Sequence, residues 1–327
     1  MSPVHDTTFH SMGSDVRLII EQPLLPGLER PAVAAERERG YVEDFAARLS
    51  RFRPDSELCA LNADPAHEVR ASLLLRTAVA AGVWAADRSG GLVDPTLVGE
   101  IEAIGYQDSQ DGCTPAPLAD ALAAAPPPRP ARPRARARWR QIEIDHERGT
   151  VRRPPGLRID TGGTGKGLAA DAVAHRLRGY TRFVVDCGGD IAVGGVGCEL
   201  EPIAIEVEHP LTGECVHTLR LARGGVATSG LNVRIWRRAD GTFAHHLLDP
   251  SSGEPVWSGL IGATALADSA LEAETLSKLA LLGGPEGARR ALAEHGGVIV
   301  HDDGDVELIG PIGVGGRGWA HAIGSAA

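Results

Sequence analysis

The run Asp160-Thr161-Gly162-Gly163-Thr164-Gly165-Lys166-Gly167 constrains this chain more than any other feature. Glycines at four of eight positions let the backbone approach an anion closely, and the periodicity of 166–178 predicts a helix directly after them. A helix N-terminus presents unpaired N–H groups and the positive end of its dipole, so the natural guest of such a turn is a phosphate. The run departs twice from the P-loop pattern G-x-x-x-x-G-K-[ST]: Asp160 stands at the first glycine and Gly167 at the Mg²⁺-binding hydroxyl. The dinucleotide fingerprint G-x-G-x-x-G is absent as well. A tight turn into a helix, with no ligand, is the plain alternative.

Composition narrows the classes. Against 33 Lys and Arg stand 43 Asp and Glu, a net charge of −10, which argues against a non-specific nucleic-acid partner. Aromatic residues make up only 4%, so the core must be built from Ala, Val, Leu and Ile. The five cysteines, Cys59, Cys113, Cys187, Cys198 and Cys215, are odd in number and form no C-x-x-C pair. That fits neither a disulfide framework nor a thiolate zinc site. No run of eighteen apolar residues predicts a membrane segment. The first twenty residues lack a basic-then-apolar signal, so the expected location is cytoplasmic.

Along the chain, 7–22 reads as a strand passing through Met12-Gly13-Ser14, and periodicity predicts helices over 31–52 and 66–87. Residues 126–140 hold five prolines and six arginines and read as a connector without a packed element, a nucleic-acid- or phosphate-binding stripe being the alternative. Strands are expected over 141–145, 156–159, 182–185, 203–208, 216–221, 243–247 and 298–301, with helices over 166–178, 268–282 and 286–295. Without strict βαβ alternation the class is α+β rather than a doubly wound sheet.

Four further segments combine glycine or proline with polar residues: Gly90–Thr96 (GGLVDPT), Asp186–Asp190 (DCGGD), Thr228-Ser229-Gly230, and His245–Pro250 (HHLLDP). Each alone is common turn chemistry. In order, together with SRFRPDSELCALN (50–62) and IDTGGTGKGLAAD (159–171), they resemble the ApbE family of FAD:protein FMN transferases across nearly the whole chain. The resemblance implies one FAD-binding core over residues 1–327, in which mixed, largely antiparallel sheets pack with helices. It implies transfer of FMN from FAD to a Thr or Ser hydroxyl of an acceptor flavoprotein, with release of AMP. Flavin and nucleotide are then expected at Met12, Phe52, Leu92, Val93, Asp94, Asp160, Lys166 and Leu247, with Asn62 and Thr96 near the flavin. His246 is expected to take the hydroxyl proton, and Arg234 to contact phosphate. Two other outcomes stay open: an FAD pyrophosphatase giving FMN and AMP, and a non-catalytic flavin carrier.

The chain departs from the family at the metal. Where the resemblance implies a helix reading A-D-x-x-x-T that binds Mg²⁺, this sequence has Ala273-Glu274-Thr275-Leu276-Ser277-Lys278. In one reading Lys278, paired with Glu274 at i,i+4, supplies the positive charge in place of the cation. In another, Mg²⁺ binds through the Gly163 carbonyl, Glu274 and Ser277 while Lys278 touches phosphate. A plain surface ion pair is the third.

Overall fold

A computed structural model describes residues 4–312. The chain opens with a hairpin of β1 (His5–Ser11) and β2 (Ser14–Ile20), whose Phe9, Val16, Leu18 and Ile20 alternate inward. Its turn, Met12-Gly13, has positive φ at both positions, 55° and 66°, as a two-residue hairpin requires. The α-helix α1 (Pro31–Leu49) starts on proline and buries Ala34, Ala35, Val42, Phe45 and Leu49. Next come α2 (Glu57–Ala63), β3 (Glu68–Arg70) and α3 (Leu73–Arg88). Two short helices, α4 (Val98–Ala103) and α5 (Leu118–Ala123), precede β4 (Glu143–Asp145) and β5 (Thr150–Arg152), which form a small sheet with β3.

The glycine-rich run opens α6 (Gly165–Arg176), followed by the hairpin β6 (Phe183–Cys187) and β7 (Asp190–Gly194). After α7 (Val196–Leu200), the ribbon β8 (Ile203–Glu208) and β9 (Cys215–Leu221) leads to β10 (Gly224–Gly230). A small hairpin of β11 (Ile235–Arg237) and β12 (Phe243–His245) comes before β13 (Leu260–Ala267), α8 (Ala270–Ala291), β14 (Gly297–His301) and β15 (Val306–Ile309).

Eight strands form one sheet in the order β1-β2-β6-β7-β10-β13-β14-β15, antiparallel at every pairing. Helices α6 and α8 lie on one face, and the β8–β9 ribbon covers part of the other with Ile205, Val207, Leu219 and Leu221. The expected α+β class with largely antiparallel sheets is therefore what the chain forms. Helices α6 and α8 approach closely at Gly167, where an added Cβ would lie 2.6 Å from the Ala270 carbonyl oxygen. There Asp171 accepts the N–H groups of Ala270 and Leu271, capping α8, and burial raises its carboxyl pKa above the ordinary value.

Several boundaries differ from the sequence expectation for identifiable reasons. The helix expected over 66–87 begins at Leu73, because Glu68–Arg70 pairs with β5 and Ser72 caps the helix through the Leu75 N–H. Residues 156–159, expected as a strand, join no sheet; Thr150–Arg152 is the strand instead. The helices expected over 268–282 and 286–295 are one run broken at Gly284, whose φ of 66° and the following Pro285 kink it.

The segment 126–140 has the expected lack of strands and α-helix but is no loose connector. Arg129 N–H donates to Trp257 C=O and Ala131 N–H to Leu282 C=O, while Trp139 is buried in the first core. It is a strap fastened across the molecule.

Candidate active site

One end of the large sheet gathers the turn Met12-Gly13, the turn Gly188-Gly189 and the end of β10 at Ser229-Gly230. Antiparallel order puts them there: β2 leaves its turn beside the end of β6, and β7 leaves its own beside the end of β10. Gly188 is required for this closeness, since a Cβ on it would lie 2.4 Å from Ser14 Oγ. The N-terminus of α6 and one face of α8 complete the wall.

Two buried ion pairs meet here. Lys166 Nζ lies 2.5 Å from Asp190 Oδ2 and donates to the Gly188 carbonyl at 3.2 Å. Lys278 Nζ lies 2.9 Å from Glu274 Oε1, with the Lys278 side chain 12% exposed and Glu274 fully buried. Glu274 Oε2 accepts the Gly167 N–H at 2.9 Å, so both carboxylate oxygens are engaged. Burial raises the Glu274 pKa to about 7 despite the opposing pull of Lys278. Burial alone would pull the Lys166 ammonium down, but Asp190 and Glu274 outweigh it and the net shift is upward.

The two histidines of the HHLLDP segment differ. His245 is fully buried, its Nε2–H donates to the Val256 carbonyl at 3.0 Å, and its Nδ1 accepts the Leu247 N–H at 3.3 Å. Burial pushes its pKa down to about 4, and the ring serves the scaffold. His246 Nδ1 lies 3.4 Å from the Arg234 carbonyl. A carbonyl can only accept, so this contact favours the Nδ1–H tautomer and leaves the Nε2 lone pair free. Burial, and then the charges of His245, Arg234 and Lys278, hold His246 well below the usual imidazole range, so it is neutral.

Across the site, Asp160 Oδ2 is 3.1 Å from Arg51 Nε and Asp160 Oδ1 accepts the Gly162 N–H at 2.8 Å. Arg51 lies over the rings of Phe52 and Tyr106, at 4.1 and 4.6 Å from their centroids, and Trp236 packs against Tyr106 at 5.5 Å with the ring planes tilted by 43°. Arg234 bonds the Tyr106 hydroxyl and reaches the Gly13 carbonyl. Asp94 Oδ1 accepts from the Thr96 hydroxyl at 2.6 Å and from its N–H at 2.8 Å, while Oδ2 is buried without a partner. Asp160 N–H donates to the Pro95 carbonyl at 2.9 Å, tying the GGLVDPT loop to the glycine-rich turn. Val93 stands 4.0 Å from where a Cβ on Gly163 would lie.

The structure brings the expected site residues to this one region, but several have their polar groups turned to the protein itself, as Thr96 and Glu274 do above and Asn62 and Ser277 do here. Asn62 pairs with both backbone groups of Ile159, each at 2.8 Å, and so fixes the approach to Asp160. Ser277 Oγ bonds Ser229 Oγ at 2.8 Å and the Glu274 carbonyl at 3.1 Å. Met12 packs against the first core, that of Phe45, Leu58, Trp139 and Ile159, whereas Leu247 belongs to, and Leu92 packs against, a second core of Leu231, Leu276 and Ile299. The site thus lies at the seam between the two.

Arg51, Tyr106 and Trp236 are not among the residues expected from the sequence, and Asp190, which closes the DCGGD segment, has no role assigned there. Arg51 lies inside the block SRFRPDSELCALN, so its neighbours were the available signal. Tyr106 and Trp236 carried none. The five cysteines are free thiols, and burial pushes the Cys187 thiol up, out of the range of a nucleophile.

The model of the ApbE family matches residues 12–301. A FAD:protein FMN transferase of Klebsiella pneumoniae (strain 342) is 32% identical over 146 residues, covering 43% of this chain and 41% of that protein. One of Escherichia coli (strain K12) is 30% identical over 159 residues, covering 47% of this chain and 45% of that protein. The matched stretch is thus less than half the length of these relatives. The apo form of the Pseudomonas stutzeri flavinyl transferase ApbE superposes with a TM-score of 0.74 at 25% identity, covering 94% of this chain and 95% of that one.

Proposed function

This chain belongs to the ApbE family, and on that premise we propose that it transfers FMN from FAD to a Ser or Thr hydroxyl of an acceptor protein and releases AMP. The observation that supports this most is the His246 contact with the Arg234 carbonyl, which leaves Nε2 free, on a ring that burial and the Lys278 charge keep neutral. In the step, the acceptor oxygen attacks the phosphorus on the flavin side, and the bond from that phosphorus to the AMP oxygen breaks. AMP leaves with the bonding electron pair, and the hydroxyl proton passes to His246 Nε2. Lys278, Lys166 and Arg234 offset the charge that spreads over the phosphate oxygens.

The remaining residues bind and orient. Asp94 Oδ2, buried and unpartnered, lacks a donor that a flavin or ribose group would supply. The backbone of Leu92, Val93 and Leu247 and the side chains of Met12 and Phe52 would flank the flavin, with Asp160 and Lys166 toward the nucleotide. Asn62 and Thr96 would act indirectly, through Ile159 and Asp94.

Mg²⁺ does not fit the donor set of Gly163, Glu274 and Ser277. Both oxygens of Glu274 are engaged by Lys278 and the Gly167 N–H, and the Ser277 hydroxyl is spent on Ser229. An ammonium 2.9 Å from the only carboxylate of the set would repel a divalent ion. Among the described residues, no group of three or more His, Cys, Asp or Glu is arranged to hold a metal. The reading adopted is that Lys278 takes the cation's place. It is no surface pair, since Glu274 is fully buried.

The test scores AMP release from FAD by the purified protein, with and without an acceptor peptide. Acceptor-dependent AMP together with covalent flavin supports the transferase. AMP without acceptor would make it a pyrophosphatase, and FAD bound unchanged would make it a carrier. No helix among the described residues is long and apolar enough to cross a membrane.

A further inference from the structure

The strap over 126–140 is the largest feature that the reaction leaves unused. It holds six arginines and no acidic residue in a chain with a net charge of −10. Its prolines, the last of them Pro133, keep the first half extended, with Arg132 and Arg134 two residues apart; residues 135–136 then bend and Arg138–Gln141 forms a 3-10 turn. Across that bend Arg134, Arg136 and Arg138 line one cleft of about 390 Å³, closed on its far side by Pro154, Pro155 and Leu157. Among the described residues Arg134 is the strap arginine with a carboxylate partner, Glu100, and even its Nη1 is buried without an acceptor. Arg132, Arg136, Arg138 and Arg140 are exposed.

The strap also touches both loops that hold the site. Arg132 N–H donates to Asp249 Oδ1 at 3.0 Å and Arg134 Nε to the Pro250 carbonyl at 3.1 Å, a few residues beyond His246. On the other side Pro133 and Trp139 stand 3.4 Å from where a Cβ on Gly91 would lie, at the start of the GGLVDPT loop.

We propose that this arginine face is a docking surface for an acidic segment of the acceptor protein, flanking the hydroxyl that is modified. The proposal rests on the transferase reading. Planar guanidinium groups suit carboxylates, which they bind in bidentate fashion. A row of one sign on a molecule of the opposite net sign also steers an acidic partner toward the site by its local field.

The test measures binding to the intact chain by fluorescence anisotropy at low and high ionic strength. The probes are a labelled Thr-containing peptide flanked by glutamates, the same peptide with glutamines, and an RNA oligonucleotide. The glutamate peptide should bind, the glutamine peptide should not, and salt should weaken the complex. Combining Arg132→Ser, Arg136→Ser and Arg138→Ser should weaken it by about tenfold with FAD affinity and melting temperature unchanged. Equal binding of both peptides, no effect of the substitutions, or tighter binding of RNA would overturn the proposal. A parallel loss of FAD affinity would also overturn it, by assigning the arginines to the nucleotide. FAD binding scored in the same samples separates the two readings. A parent chain that ignores FAD sinks the transferase, whereas retained FAD without charge-dependent peptide binding sinks the docking surface alone.

Discussion

Glu274 and Lys278 stand one turn apart on α8, joined at 2.9 Å inside the protein, and the Gly167 N–H holds the second oxygen of Glu274. A pair so placed is costly to break from one side, because the remaining charge stays buried. Lys278→Met should therefore lower unfolding stability in urea by about 3–5 kcal/mol. Adding Glu274→Gln should recover most of that loss while leaving flavin transfer low, since the cation beside the phosphates is still missing. Recovered activity in the double variant would count against a charge role for Lys278.

His246→Ala removes the free Nε2 without touching the buried His245 scaffold. Turnover should fall roughly a hundredfold or more, with FAD affinity held within a small factor. Equal loss of binding and turnover would make the ring a binding group only.

The pH dependence of stability should carry the mark of His245. Its folded pKa of about 4 lies below the ordinary 6.5, so the unfolded chain binds the proton first as pH falls. Stability is fully present above about pH 6.5 and declines toward pH 4, by about 3 kcal/mol from this ring. His246 acts in the same direction. Urea midpoints from pH 7 to 4.5 should fall less steeply in His245→Asn than in the parent chain.

Asn62→Ala separates support of the Asp160 turn from direct contact with the flavin. Two half-buried hydrogen bonds to Ile159 are lost, which should cost about 2 kcal/mol. FAD affinity should fall with it, as the Asp160 turn loosens. An FAD effect with no change in stability would favour direct contact with the flavin.

Much of the site was legible because its residues lie in short contiguous blocks punctuated by Gly and Pro, whose turn chemistry survives in sequence. The cluster of Arg51, Tyr106 and Trp236 was not, since it is assembled from three distant segments with no shared spacing. Strand β13, Leu260–Ala267, went unseen for a different reason. It is buried at every position, between the helices on one face and Leu266 packed in the opposite core, so it shows no alternation. The strap shows the limit of composition: prolines announced the absence of regular structure, but its anchors are carbonyls of Trp257 and Leu282, far along the chain. Trp139→Ala should accordingly cost about 3–5 kcal/mol, a loss that a free connector would not produce.

If flavin transfer runs on the Lys278 ammonium in place of a divalent ion, it should need no Mg²⁺. Mass spectrometry of an acceptor incubated with FAD and the purified protein, in EDTA and then with added Mg²⁺, decides this. The acceptor should be heavier by one FMN in both samples, with Lys278→Thr becoming dependent on Mg²⁺. Transfer by the parent chain that stops in EDTA and returns with Mg²⁺ would contradict that role for Lys278.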